Sequence, residues 1–281
     1  MTASTIAFVI LSVLLLLFIA RLLHQIVLGK PVTEMLIQAD NRAVAIALGG
    51  FILGVVNVII PVLSGEGHSF WRDVTGVIGY GLGGIIAMEI TGRIFAFYIR
   101  SSGLNLRSEC LNGNVAAGIV SAAEYLAASF IVAGALTGDS GAVIPTLVFW
   151  LAGIAALVIL SHLFRYLTAY DDIEEIRKGN VAAALGFGGL LIAIGTMVGF
   201  AVAGEFTGYA AGFKGFGLMI LAVLVFYPVR QIVVQGLVLG AGLKLRGGVL
   251  DREISEDRNL GAGLLEAIGY YATALLVTRV F

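Results

Sequence analysis

Eight stretches of the chain are almost continuously apolar, and short polar intervals separate them. They run roughly over 2–23, 43–63, 74–94, 115–136, 142–164, 181–203, 213–230 and 261–281. Each is close to the 20 or so residues that carry a helix across about 30 Å of hydrocarbon. The pattern predicts an all-α polytopic membrane protein with eight transmembrane helices. Apolar residues continue from Gln231 to Leu243 after the seventh stretch, but Gln231, Gln235, Lys244 and Arg246 interrupt them. That continuation reads as an interfacial amphipathic segment.

Four asparagines, Asn41, Asn114, Asn180 and Asn259, each open an apolar segment rich in small residues and stand 73, 66 and 79 residues apart. Asparagine is a strong helix N-cap, because its side chain accepts a bond from a free amide of the first turn. A period near 70 in such a chain predicts a repeated helical hairpin. The halves repeat more closely. Residues 41–50 align with 180–189, Arg93 and Arg230 end the third and seventh spans, and Tyr125 and Tyr270 each follow their asparagine by eleven residues. Two parallel four-helix repeats are expected, over 1–136 and 137–281, with four hairpins beneath them.

Composition agrees with the class. The chain is 59% hydrophobic and 12% charged, with a mean hydropathy of +1.01, where soluble domains are about a quarter charged. Thr2 to Ala20 has no basic segment before it and no small-residue cleavage site, so it reads as a retained helix and not a signal peptide. A net charge of −1 argues against nucleic acid, and the single cysteine, Cys110, excludes a disulfide framework. Of the 17 Lys and Arg, only Arg72, Lys214 and Arg279 lie away from the odd-numbered loops. The positive-inside rule puts those loops in the cytoplasm and both termini in the periplasm.

The pattern Asn-x-Ala-Ala followed by small residues, twice per unit of about 130 residues, resembles the YjfL-type bacterial inner-membrane family (domain of unknown function 350). Gly92-Arg93 and Val229-Arg230 supply the pair that ends that family's third span. The resemblance covers nearly the whole chain as two fused units. It implies an inner-membrane location and no established activity. It also implies as partners phage-shock-type membrane-stress proteins or an ATP-grasp ligase resembling glutathionylspermidine synthase.

Polar groups inside the bilayer are the candidate site. Glu124 lies ten residues beyond Asn114, about 15 Å into its helix, and Glu266 seven beyond Asn259, about 10 Å in. A central acid costs about 3 kcal/mol, so such groups usually face a partner, a cavity or a pathway. Tyr125 adjoins Glu124, and Tyr270 follows Glu266 at i+4. The acids either bind a cation or relay a proton, or else they fix helix packing. In the repeat alignment they are not equivalent, since Glu266 matches Ser121 and Glu124 matches Gly269. Asn57 is expected to bond an adjacent helix. Glu89 and Arg93 have the spacing of a helix-surface ion pair at the cytoplasmic end, whereas Phe226 stands where Arg230 would find its acid, and Pro228 predicts a kink there. The alternative for these charges is lipid-headgroup or partner binding. The pairs Gly50/Gly54, Gly79/Gly83 and Gly195/Gly199 have small-xxx-small packing spacing. The four asparagines either simply cap their helices or set four helix N-termini around a cytoplasmic vestibule that favours an anion.

His24, His68 and His162 lie far apart in this topology, in no metal-ligand spacing. No metal, cofactor or enzyme site is expected. Two classes of function remain: a channel or transporter for a small ion or solute that uses the intramembrane carboxylates, and a non-catalytic anchor or scaffold of an envelope-stress system. The mixed charge of Gly242–Arg258 suits a protein contact or a solvated linker better than anionic-lipid binding, and the chain is compatible with an oligomer.

Overall fold

The computed structural model describes residues 3–64, 70–137, 143–244 and 246–280, and the regular structure among them is entirely helical. In chain order it comprises α1 (Ala3–Leu28), a π-helical turn (Glu34–Gln38), α2 (Arg42–Leu63), α3 (Phe70–Ser101), short α4 (Leu106–Leu111), α5 (Val115–Leu136) and α6 (Val143–Leu167). Short α7 (Asp172–Arg177), α8 (Val181–Val202), α9 (Tyr209–Val223), α10 (Phe226–Val229), a π-helix (Arg230–Val238), short α11 (Val249–Ser255) and α12 (Leu260–Val280) follow. Eight candidate spans result, as the apolar pattern predicts. The outer helices leave large side chains uncovered, such as Leu11, Leu14 and Ile26 on α1, as helices facing lipid should.

Each asparagine-led helix is preceded by one of the short elements, joined by the same tight link. The residue before the asparagine has a left-handed backbone in all four cases: Asp40 (φ 45), Gly113 (φ 85), Gly179 (φ 76) and Arg258 (φ 51). That residue ends the short element, and the asparagine side chain then caps the long helix, accepting from Val44, Ala117 and Ala183 in the first three repeats. Asn259 accepts from Gly261 and Ala262. Because the spans alternate in direction, all four links lie on one face of the bundle, the basic one.

The four asparagine-led helices form the core as a row: α2 packs on α5, α5 on α8, and α8 on α12. Small residues bring these backbones together. A Cβ added at Gly50 would strike the backbone of Ala122, one at Gly195 that of Ala127, and one at Gly189 that of Ala267. The glycine pair Gly79/Gly83 does not behave this way, since both positions face open space on α3. Asn57 donates to Ser129 Oγ of α5 at 3.1 Å, the expected helix-to-helix bond.

The seventh span differs from its sequence reading. It breaks at Leu224–Val225, where amides bond three residues back to Leu221 and Ala222. Pro228, which has no N–H to offer the Leu224 carbonyl, stands four residues on. The chain then continues as a π-helix to Val238, not as an interfacial segment. The wider turn puts Arg230, Gln231, Val234 and Gln235 on one buried face, which would not suit an amphipathic surface helix.

Candidate functional site

Two polar centres lie inside the bundle, one per half. In the first, His24 of α1 approaches Glu89 of α3, with Nδ1 3.3 Å from Oε1, and both side chains are buried. The imidazole stacks on Phe51, ring centroids 4.3 Å apart, and meets the edge of Tyr125. Glu124, 3% exposed, lies against Gly92 of α3, where an added Cβ would sit 3.3 Å from its Oε1. The Glu89–Arg93 helix pair does not form. Glu89 turns inward to His24, while Arg93 is exposed at the bundle surface.

The second centre is built around Arg230. The guanidinium, 1% exposed, ion-pairs with Asp251 of α11 through Nη2 and with Glu266 of α12 through Nε. Gln231, with its amide oxygen turned toward Arg230, accepts from Nη1 at 3.2 Å. Tyr270 donates to Glu266 Oε1 at 3.2 Å, one helical turn on. A third acid, Asp172, is 4% exposed and accepts from Thr168 at 3.0 Å. Burial, helped by the charge of Glu266, pushes the Asp172 carboxyl up to about 7, although Thr168, Arg165 and Arg230 pull the other way. Gly186 on α8 makes room for Glu266, whose carboxylate occupies the space a Cβ would fill.

Partners are incomplete here. Asp251 and Glu266 both meet the one fully buried arginine, Asp172 stands nearby with Thr168 as its partner, and the second oxygens of Asp251 and Glu266 have no partner among the described residues. A small cleft adjoins the cluster, lined by Arg165, Thr168, Asp172, Gly186, Glu266 and Tyr270. A larger open groove, next to Pro145, Phe149, Phe206 and Gly212, carries only Glu205 as a charged group among the described residues. The smaller cleft is the one that gathers several charged side chains.

The structure thus joins Glu266, Tyr270 and Arg230, and separately Glu124, Tyr125 and Glu89. The four asparagines join neither. Three of their amides reach backbone: Asn41 donates to Cys110 O (2.9 Å), Asn114 to Ile176 O (3.0 Å) and Asn180 to Ile254 O (2.8 Å). Each of these three therefore caps its own helix and staples the end of the next repeat's short helix. The four helices form a row with α2 and α12 at its ends, so the asparagines tie the basic face together and do not ring a vestibule. Asp172 and Asp251 escape a span-by-span reading because they sit in charged loops. One signal was available: both stand eight residues before an asparagine, where the first half has Thr33 and Leu106. His68 lies outside the described residues. His162 is 3.3 Å from Tyr98 OH, away from His24. Among the described residues, no cluster of His, Cys, Asp and Glu could hold a metal ion.

Comparison with known proteins agrees with this architecture. A UPF0719 transmembrane protein from Aquifex aeolicus (strain VF5) is 26% identical over 243 residues, which is 85% of this chain and 86% of the relative. No solved structure matches. The profile of the family described as Domain of Unknown Function (DUF350) matches residues 1–136 and again 140–281, so the chain belongs to that family and carries it twice.

Proposed function

We propose that the protein is a bacterial inner-membrane transporter or channel for a small cation or proton-coupled solute, and that the Arg230 cluster is its binding site. In this reading the basic face is cytoplasmic and both termini are periplasmic, as the positive-inside rule expects. The carrying observation is the unpartnered oxygen on each of the two buried carboxylates, Asp251 and Glu266, that meet Arg230. Buried carboxylate oxygens ordinarily find donors, so a proton, a hydrated cation or a donor group of a solute would satisfy them. Asp172, titrating near 7 at the edge of the cleft, can take up and release a proton at neutral pH. The proposed activity is transport and not catalysis.

Ion and proton flux into proteoliposomes tests the reading. Wild type should conduct or exchange at least one small cation, and Glu266→Gln should reduce that flux at least tenfold while the bundle stays folded. Absence of wild-type flux over a broad ion panel at both voltage signs would overturn it. That result would favour a scaffold in an envelope-stress system. One observation supports this second reading: α7 presents Glu174, Arg177 and Lys178 as a mutually ion-paired, solvent-facing surface on the basic face.

A further inference from the structure

The staples run in one direction and leave two loose ends. Asn41 holds α4, Asn114 holds α7 and Asn180 holds α11, each across one repeat. Among the described residues no repeat follows Asn259. Among the described residues its amide donates only to Glu253 of its own short helix, at 2.8 Å, and the residue is exposed. At the other end, the turn Glu34–Gln38 receives no asparagine among the described residues, and Ile37 is 77% exposed on it.

The helix seams end in the same way. Four residues after its asparagine, each following helix places a small residue against the preceding one. A Cβ at Gly118 would strike the backbone of Ala43, and one at Gly263 that of Ala182, both of which lie two residues after their asparagines. At the middle seam the matching Ala184 and Ala116 are both fully buried. The free positions left over are Ala45 on α2 and Gly261 on α12, both small and both exposed. Farther along, α8 sets Gly188 against Ala123 of α5. The corresponding positions are Gly49, with nothing near its missing side chain, and Ile268, 53% exposed.

We infer that a second copy of this chain docks head to tail on the row, its Glu34–Gln38 turn and α2 seated on Asn259 and α12 of the first. The contact continues the internal pattern: Ala45 of one copy would meet Gly261 of its neighbour, and the Asn259 amide would reach the carbonyl end of the neighbour's turn. Such a heterologous interface closes as a ring or runs on as a chain. The inference does not depend on transport.

Disulfide trapping in native membranes tests it. Cys110 can stay, because it is buried and burial pushes its thiol up to about 12. Ala45→Cys/Gly261→Cys should give a ladder of cross-linked species, or one closed oligomer. Co-expressed Ala45→Cys and Gly261→Cys chains should give dimers only, and each single variant none. Ala45→Leu, a bulky change at an exposed position that leaves the chain's own core untouched, should reduce the fraction of protein found as oligomer at least fivefold in nanodiscs. Dimers from single variants would mean an isologous contact and overturn the proposal. So would a wild-type particle of one 29.4 kDa chain, or an oligomer indifferent to Ala45→Leu.

Discussion

The two halves share a backbone plan and differ in what they bury. Both carry the capped links, the Gly–Ala seams and a tyrosine eleven residues after an asparagine. Yet Arg93 is exposed while its counterpart Arg230 is among the most deeply buried side chains of the molecule. The difference traces to the short helices. Eight residues before the asparagine, the second half offers Asp172 and Asp251, and the first offers Thr33 and Leu106. An arginine can turn inward only where carboxylates compensate its desolvation, so the acids decide its position. The repeat supplies the frame, and the divergence supplies the proposed site.

Removing Arg230 should break this contrast most sharply. Arg230→Met strands Asp251 and Glu266 without a counter-charge and should destabilise the protein by about 3–5 kcal/mol. Arg93→Met should stay within about 0.5 kcal/mol. Denaturant unfolding of the two variants in the same detergent compares them directly. The staples are next. Asn180→Ala loses a cap and a buried amide–carbonyl bond to Ile254 and should cost about 2 kcal/mol. Asn259→Ala, at the loose end, should cost nearer 0.5 kcal/mol. Equal losses would mean that the cross-repeat bond adds nothing.

Asp172 sharpens the comparison through pH. Its folded pKa, about 7, lies above the ordinary 3.8, so the folded protein holds this proton more tightly than the unfolded chain does. Its contribution to stability is therefore lost as pH rises from about 4 to about 7. Asp172→Asn should raise the apparent Tm over wild type at pH 8 and leave it unchanged at pH 4, by thermal unfolding in both buffers. The smallest effect expected is at the links. Asp40→Gly relieves a left-handed backbone and should stabilise by about 0.5 kcal/mol.

The frame was readable because membrane helices declare themselves locally. Twenty apolar residues between an asparagine and a polar loop specify a span whatever surrounds them, and Asn41, Asn114 and Asn180 act as the caps their spacing predicts. The site was half readable. Glu266, Tyr270 and Arg230 stand out as polar groups in apolar helices. Asp172 and Asp251 do not, because a charged residue in a loop ordinarily faces water, and only the tertiary fold buries these two. The Glu89–Arg93 pairing failed for a related reason. Helical spacing allows it, but His24, 65 residues away, gives Glu89 a buried partner that Arg93 cannot match from the surface. The π-helix was invisible because its period emerges from the buried face of Arg230, Gln231 and Gln235 and not from apolar alternation.

The claim that the second half holds the working site, and the first a structural polar centre, meets its most direct test in one flux experiment. Asp172→Asn and Glu124→Gln proteins would be reconstituted side by side with wild type, and proton-linked flux measured from pH 6 to 8. The account predicts that Asp172→Asn loses at least tenfold and its pH dependence, while Glu124→Gln stays within twofold of wild type. Equal loss in both variants, or loss in Glu124→Gln alone, would contradict it.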